Sequence, residues 1–147
     1  TMKIIKRTLL LLTFIFLPLA HATQEDPDKR TIVHLDAEER NIVLEEMRTF
    51  LSTLQKITQG VATNDMQLVE TAAKTMGQDA SGGVSLSLIF KLPLSFKLYA
   101  ADTHQKFDQI ALDAGSLADR DHTLEQVSVL MQNCVACHAM YRIEKED

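Results

Sequence analysis

Residues 36–61, DAEERNIVLEEMRTFLSTLQKITQGV, decide the class of fold that this chain adopts. Asp36 and Glu39 have the spacing of a capping box, a pair of side chains that hydrogen-bond the free backbone N–H groups at a helix start. Apolar residues then recur every three or four positions. They are Val43, Met47, Phe50, Leu51, Leu54, Ile57 and Val61. Because this interval places them on one face, the segment predicts a long amphipathic helix.

Two more helices are expected from the same periodicity. The second starts at Asn64, with Gln67 three residues later, and stops at Gly77. The third follows Pro93, which suits a first helical turn because its missing N–H is not needed there, and it ends at Gly115. Both segments carry apolar residues at helical spacing, so each can contribute one face to a common core.

A fourth helix is capped by Asp121 or Thr123 and continues at helical spacing into the last residues. Residues 78–92 are harder to interpret, since Gly82-Gly83 interrupts regular structure while the residues after it are strongly apolar. We expect a packed, extended crossover there, because a strand without a partner would leave its backbone unsatisfied. Four helices with short links predict an all-α bundle that forms one domain over residues 36–147.

The amino terminus has the pattern of a secretory signal peptide over residues 1–22. Three basic residues precede an uncharged apolar run, which ends in the cleavage-site pattern Ala20-His21-Ala22. The basic residues are Lys3, Lys6 and Arg7. A membrane anchor is the alternative, but a span needs about 18 or more apolar residues and this run is shorter. We therefore expect export to the periplasm of a Gram-negative bacterium, no stable membrane insertion, and a flexible polar segment over residues 23–35.

Charge limits the class of partner. The chain has 15 basic and 20 acidic residues, a formal charge of −5. The expected leader contains three of the basic residues and none of the acidic ones, so its removal changes the charge to −8. An acidic surface repels phosphate backbones, which argues against nucleic acid and leaves room for a basic protein partner.

The chain has two cysteines, and they lie in the sequence Cys134-Val135-Ala136-Cys137-His138, the C-x-x-C-H signature of c-type haem attachment. On a helix, residues 134, 137, 138 and 141 share one face, so both thiols can reach the two vinyl groups along one haem edge. His138 then offers its imidazole to iron as the proximal ligand. We expect one covalent haem c at this motif.

Three other readings of the cysteines compete with haem. They are a structural disulfide in a haem-free exported helical module, a thioredoxin-like redox pair, and half of a zinc site. A thioredoxin motif belongs near a βαβ unit, which an all-helical pattern does not offer. Zinc would need further thiolates that the chain lacks. The disulfide stays open, and a haem stain on denatured protein separates it from haem.

The stretch from Cys134 to Arg142, CVACHAMYR, resembles the C-x-x-C-H-x-x-Y-R ending of cytochrome c-prime, the class II c-type cytochromes. The resemblance extends over about residues 36–143 through the long first helix, the Leu92-Pro93 pair and the His104-x-x-Phe107 stretch. It implies an antiparallel four-helix bundle with the haem on the last helix and the distal haem face covered by the first helix. It also permits a homodimer through the first two helices.

The resemblance implies that the residue facing iron from the first helix sets the function. A noncoordinating apolar residue leaves an open, gas-binding haem, whereas methionine closes it. Met47 resembles that methionine, although ordinary core packing is the alternative. With Met47 and His138 on iron, the chain would be an electron carrier that works by outer-sphere transfer with a redox partner protein, not an enzyme. The alternative is a five-coordinate cytochrome c-prime that binds nitric oxide or carbon monoxide.

Two further residues of the ending are candidates for haem contact. Arg142 could pair with a haem propionate, or it could be a solvated terminal arginine. Tyr141 could pack against the porphyrin or the proximal imidazole, or simply in the core. Members of the family often carry a basic residue one turn before the distal position, where this chain has Val43, so that propionate contact is in doubt.

The remaining methionines and histidines receive no role. Met131 and Met140 share the motif-bearing helix and are expected to pack, and nothing in the spacing of Met66 and Met76 singles them out. His104 is expected to be a partly buried helix histidine with a hydrogen bond. We expect His34 and His122 to be solvated residues near helix caps.

Overall fold

The computed structural model describes residues 26–82 and 84–146, and within them most of the chain is helical. A β-strand, β1 (Thr31–Leu35), precedes the first helix, α1 (Ala37–Thr63), which is followed by α2 (Met66–Lys74) and a 3₁₀ turn (Gln78–Ser81). Three more helices follow and a second strand ends the described chain. These are α3 (Leu86–Lys91), α4 (Leu94–Ser116), α5 (Arg120–Met140) and β2 (Tyr141–Lys145). The prediction of a mostly helical protein is therefore confirmed.

The capping box at the start of α1 is confirmed. The Asp36 carboxylate accepts from the backbone N–H of Glu39 at 2.9 Å, and the Asp36 N–H donates to the Glu39 carboxylate at 3.2 Å. Of the apolar residues in this helix, Val43, Phe50 and Ile57 are buried. The local signal placed this helix well because both its cap and its periodicity lie within the segment itself.

Two expected helix starts are displaced. Asn64 has φ 57° and closes the end of α1, and Asp65 instead caps α2 through a 2.9 Å bond from the Leu68 N–H. Asp119, not Asp121 or Thr123, caps α5. Each mistake is small because several residues that can cap lie side by side, and only the backbone geometry selects one.

Two expectations about irregular segments were wrong. Residues 78–92 are not an extended crossover: they contain the 3₁₀ turn and α3, whose Leu88 is buried. The polar segment expected to be flexible contains β1, while residues 23–25 and the expected signal peptide lie outside the described residues. β1 pairs in parallel with β2, with Thr31 opposite Tyr141 and Leu35 opposite Lys145.

The buried side chains form two clusters. The larger lies among α1, α2, α4 and α5, and its largest members include Phe50, Ile57, Phe107, Ile110 and Leu130. The smaller lies where the sheet meets α1, α3 and α4, and its buried members are Val33, Leu35, Val43, Leu88 and Phe96. Met47 packs against both clusters, which places it at the junction between them. No helix in the described part of the chain is long and apolar enough to cross a membrane.

Candidate functional site

A cavity of about 420 Å³ lies among α1, α4 and α5. This volume falls within the roughly 300–1,000 Å³ of small-molecule and cofactor sites. Most of its wall is apolar or aromatic. The lining residues are Met47, Arg48, Phe50, Leu51, Leu54, Phe96, Tyr99, Ala100, Thr103, Met131, Asn133, Cys134, Cys137 and His138. The cavity therefore brings together the four residues singled out as haem attachment or iron-binding positions.

The two cysteines reach the cavity from the last turns of α5. Both are half-buried free thiols, three residues apart on a continuous helix. Burial raises the pKa of each thiol, because an apolar wall disfavours the thiolate. Cys134 packs against the larger cluster and Cys137 against the smaller one, so the motif spans the same junction as Met47.

His138 follows Cys137 and lines the cavity with an exposed side chain. Its backbone carbonyl is anchored by Arg30, whose guanidinium donates to the carbonyl oxygens of His138 at 3.3 Å and Tyr141 at 3.4 Å. Carbonyls at a helix C-terminus have no partner within the helix, and an arginine satisfies them. Arg30 therefore fixes the end of α5 where the histidine projects. No local sequence signal indicates this role, because Arg30 and His138 lie 108 residues apart.

Tyr141 and Arg142 are not lining residues of the cavity. The Tyr141 hydroxyl hydrogen-bonds Ser95, and its ring makes an edge contact with Phe96 at 5.7 Å. Since Phe96 lines the cavity, Tyr141 supports the wall from behind. Arg142 hydrogen-bonds Asp26 and forms an ion pair with Glu144 at 3.1 Å, so it is held by acidic residues of the protein.

A polar network crosses the α4–α5 side of the cavity. The Asn133 amide donates to Asp102 at 2.7 Å and to the Thr103 hydroxyl at 3.3 Å. Lys106 also donates a hydrogen bond to Asp102. The bonds from Lys106 and from Asn133 lower the pKa of the Asp102 carboxyl. The network ties the residue before Cys134 to α4. Asp102 and Lys106 have the i,i+4 spacing of a helical ion pair, but the bonds that join them to α5 span about 30 residues, and sequence reasoning missed those.

His104 makes hydrogen bonds, as expected, but it is buried and not partly buried, with only 3% of its surface exposed. Nδ1 lies 2.8 Å from the Met76 carbonyl oxygen and Nε2 lies 3.2 Å from the Glu46 carboxylate. Both partners accept, so the ring satisfies them only by donating from both nitrogens as the cation. The bond to Glu46 accordingly raises the pKa of His104.

His34, His122 and Val43 lie on β1, α5 and α1, respectively. His34 is exposed on β1, whereas His122 is half-buried in the first turn of α5, with Nε2 3.1 Å from Asp113, so its expected solvation was only partly right. Val43 is buried in the smaller cluster, and Met131 lines the cavity from α5. Within the described residues, no group of three or more histidine, cysteine or acidic side chains is placed to hold a metal ion by itself.

Comparisons with family models, with curated proteins and with solved structures found no match to this chain.

Proposed function

We propose that this protein is a mono-haem c-type cytochrome that carries electrons. The observation that carries the proposal is that Met47, Cys134, Cys137 and His138 all line one largely apolar cavity. Two thiols and an imidazole at C-x-x-C-H spacing are the donor set for covalent haem c, and a thioether on a facing helix is a sixth ligand. The residues present fit the group.

Each residue has a defined part in the proposal. Cys134 and Cys137 would hold haem c through two thioether bonds, and His138 would bind the iron. Arg30 holds the backbone of His138 in place, as its bonds to the end of α5 indicate. Met47 would occupy the remaining iron position from α1. When bound, haem would supply a one-electron couple at iron, and the apolar wall of the cavity would reduce its contact with water.

Two ligands on iron leave no position for a substrate, which is why we propose a carrier and not an enzyme. The excess of acidic residues supports a redox partner with a basic docking surface. The motif and the pattern of residues 1–22 support a periplasmic location, where haem c is attached. We also propose that the helices form the antiparallel four-helix bundle of the class II c-type cytochromes. This part of the proposal rests on the resemblance of residues 134–142 to the cytochrome c-prime ending.

A second candidate is the gas-binding, five-coordinate form. One observation favours it: Met47 packs against both apolar clusters, so packing alone would explain its position. In that form nitric oxide or carbon monoxide would enter the cavity beside Met47.

Optical spectra of the native protein in both oxidation states separate these candidates. A carrier is expected to be low-spin in both states and to leave its ferrous spectrum unchanged under carbon monoxide. A high-spin ferric spectrum with carbon monoxide binding would favour the gas-binding form. A purified full-length chain with no haem spectrum and no haem stain after denaturation would overturn both.

A further inference from the structure

His104 contacts α1 on both sides of Met47. Its Nε2 lies 3.2 Å from the carboxylate of Glu46, the residue before Met47. Its ring also packs on Phe50, with the centroids 5.2 Å apart, and Phe50 lies about one turn after Met47. One side chain of α4 thus holds α1 at two points that bracket the methionine.

The imidazole is itself anchored from a third direction. Its Nδ1 lies 2.8 Å from the carbonyl oxygen of Met76, which follows the end of α2. With both nitrogens engaged and 3% of its surface exposed, His104 cannot turn without leaving the carbonyl of the buried Met76 without its donor and breaking the contact with the partly buried Glu46. Three segments of chain, α1, α4 and the end of α2, are therefore joined through this ring.

Glu46 and Met47 face different spaces although they are neighbours. Met47 lines the cavity of about 420 Å³ that holds the two thiols. Glu46 lines a second cavity of about 350 Å³, between α1, α3 and α4, which His104 also lines. Because successive helical residues are about 100° apart, a rotation of α1 that releases Glu46 also turns Met47 out of its cavity.

We infer that His104 is a positioning residue for Met47: its contacts with Glu46 and Phe50 fix the rotation of α1 and so keep the thioether in the thiol-lined cavity. The inference rests on the proposed function, in which Met47 binds iron. His104 does not line the cavity that holds the two thiols, and it would act through the helix. Its loss would shift the protein from the methionine-bound form towards the open form.

The test uses the full-length haem protein and the variants His104→Phe and Glu46→Gln. Phenylalanine keeps a ring beside Phe50 but cannot donate to Glu46 or to the Met76 carbonyl. We expect a high-spin fraction in the ferric spectrum and carbon monoxide binding that the native protein lacks. In Glu46→Gln, the new amide can donate to Nε2 of a neutral ring that still donates to Met76. This variant keeps the geometry and should stay low-spin.

The variant His122→Phe is the matched control. His122 makes a similar bond, Nε2 to Asp113 at 3.1 Å. This bond joins the C-terminal end of α4 to the N-terminal end of α5 and involves no residue of α1. Its loss should lower the melting temperature without changing the spin state. Hydrogen exchange of the full-length haem protein adds a second readout, in which amides 46–50 should exchange faster in His104→Phe than in His122→Phe.

The possible results distinguish a failure of the positioning role of His104 from a failure of the proposed electron-carrier function. A native protein without haem, or with a high-spin ferric spectrum, ends the proposed carrier function whatever the variants do. A low-spin native protein whose spectrum is unchanged in a folded His104→Phe variant overturns the positioning role alone. If His104→Phe does not fold, Glu46→Leu takes its place, because leucine cannot accept from Nε2: a high-spin ferric fraction then supports the positioning role, and an unchanged low-spin spectrum overturns it.

Discussion

Glu39 and Lys91 form an ion pair of 2.7 Å between α1 and the end of α3, 52 residues apart in sequence. The Ser87 hydroxyl donates to the other Glu39 oxygen at 2.8 Å, and Glu146 lies 3.1 Å from the same ammonium. Glu39 therefore contributes to the capping box and at the same time holds α3 and the end of the chain against α1. This group of residues closes the smaller cluster from one side.

This pair predicts an acid-sensitive part of the stability. The bond from Lys91, followed by those from Ser87 and the Asp36 N–H, lowers the pKa of Glu39 from 4.5 to about 2. Since the folded pKa lies below the unfolded one, the stabilisation is complete above pH 4.5 and is lost as the pH falls towards 2. The variant Glu39→Gln should therefore show a weaker dependence of its unfolding free energy on pH in that window, measured by urea unfolding.

Glu38 provides the control, because it lies in the same helical turn but is exposed. Glu38→Gln should leave the pH dependence nearly as it is in the native protein. Equal pH profiles for the native protein and Glu39→Gln would contradict the prediction, and would mean that the other acidic residues account for all of the acid sensitivity.

Replacing Cys134 and Cys137 together by alanine should abolish covalent haem. Alanine keeps the helix but removes both sulfur atoms from the cavity wall, so no thioether bond can form. A haem stain after denaturing electrophoresis makes the measurement, and Met131→Ala, on the same helix and wall, is the control that should keep the stain. Haem that stays with the double variant through denaturation would refute the attachment site.

Met47→Leu should open the iron to an external ligand. Leucine keeps the apolar volume at the junction of the two clusters but has no lone pair to donate, so stability should change by less than about 1.5 kcal/mol. The ferric protein should become high-spin and the ferrous protein should bind carbon monoxide. Met131→Leu makes the same change on the opposite side of the cavity and should leave the spectrum unaltered. An unchanged Met47→Leu spectrum would rule out Met47 as ligand.

Gly60 lies where α1 and α2 approach closely. A Cβ there would come within 2.7 Å of both the Asp65 carbonyl oxygen and the Val69 side chain. Gly60→Ala should therefore lower the unfolding free energy by about 1–3 kcal/mol, despite the better helix propensity of alanine. Gly115→Ala is the matched case, because the three atoms nearest to a Cβ there all belong to the carboxyl group at the end of the flexible Glu70 side chain. Chemical unfolding should show a change of less than about 1 kcal/mol for it, and equal losses in both variants would contradict this account.

The long helices could be predicted from sequence because their signals are local. A cap and a three-to-four-residue interval both lie inside the segment that they describe, as Asp36 and Glu39 show. β1 and β2 could not be predicted, because each is five residues long and its partner lies at the other end of the chain. The helix over residues 86–91 was missed because it has fewer than two turns and its apolar residues do not mark one buried face: Leu88 is buried, whereas Leu86 and Phe90 are exposed.

Part of the candidate site was also accessible to sequence reasoning. The motif spacing named Cys134, Cys137 and His138, the family resemblance named Met47, and these four residues line one cavity. The supporting contacts were not accessible. Arg30 reaches the end of α5 across 108 residues, and no periodicity within a segment reports such a contact.

β1 and β2 pair although they lie at opposite ends of the described chain, and this separation affects the order of folding. Contacts between residues near in sequence form early, while pairs as distant as Arg30 and His138 wait for the intervening chain to condense. The helices can thus assemble while the last residues are still free. We therefore expect the pairing of β1 with β2 to form after the helices, as the step that fixes the end of α5 and the Cys134–His138 segment beside it.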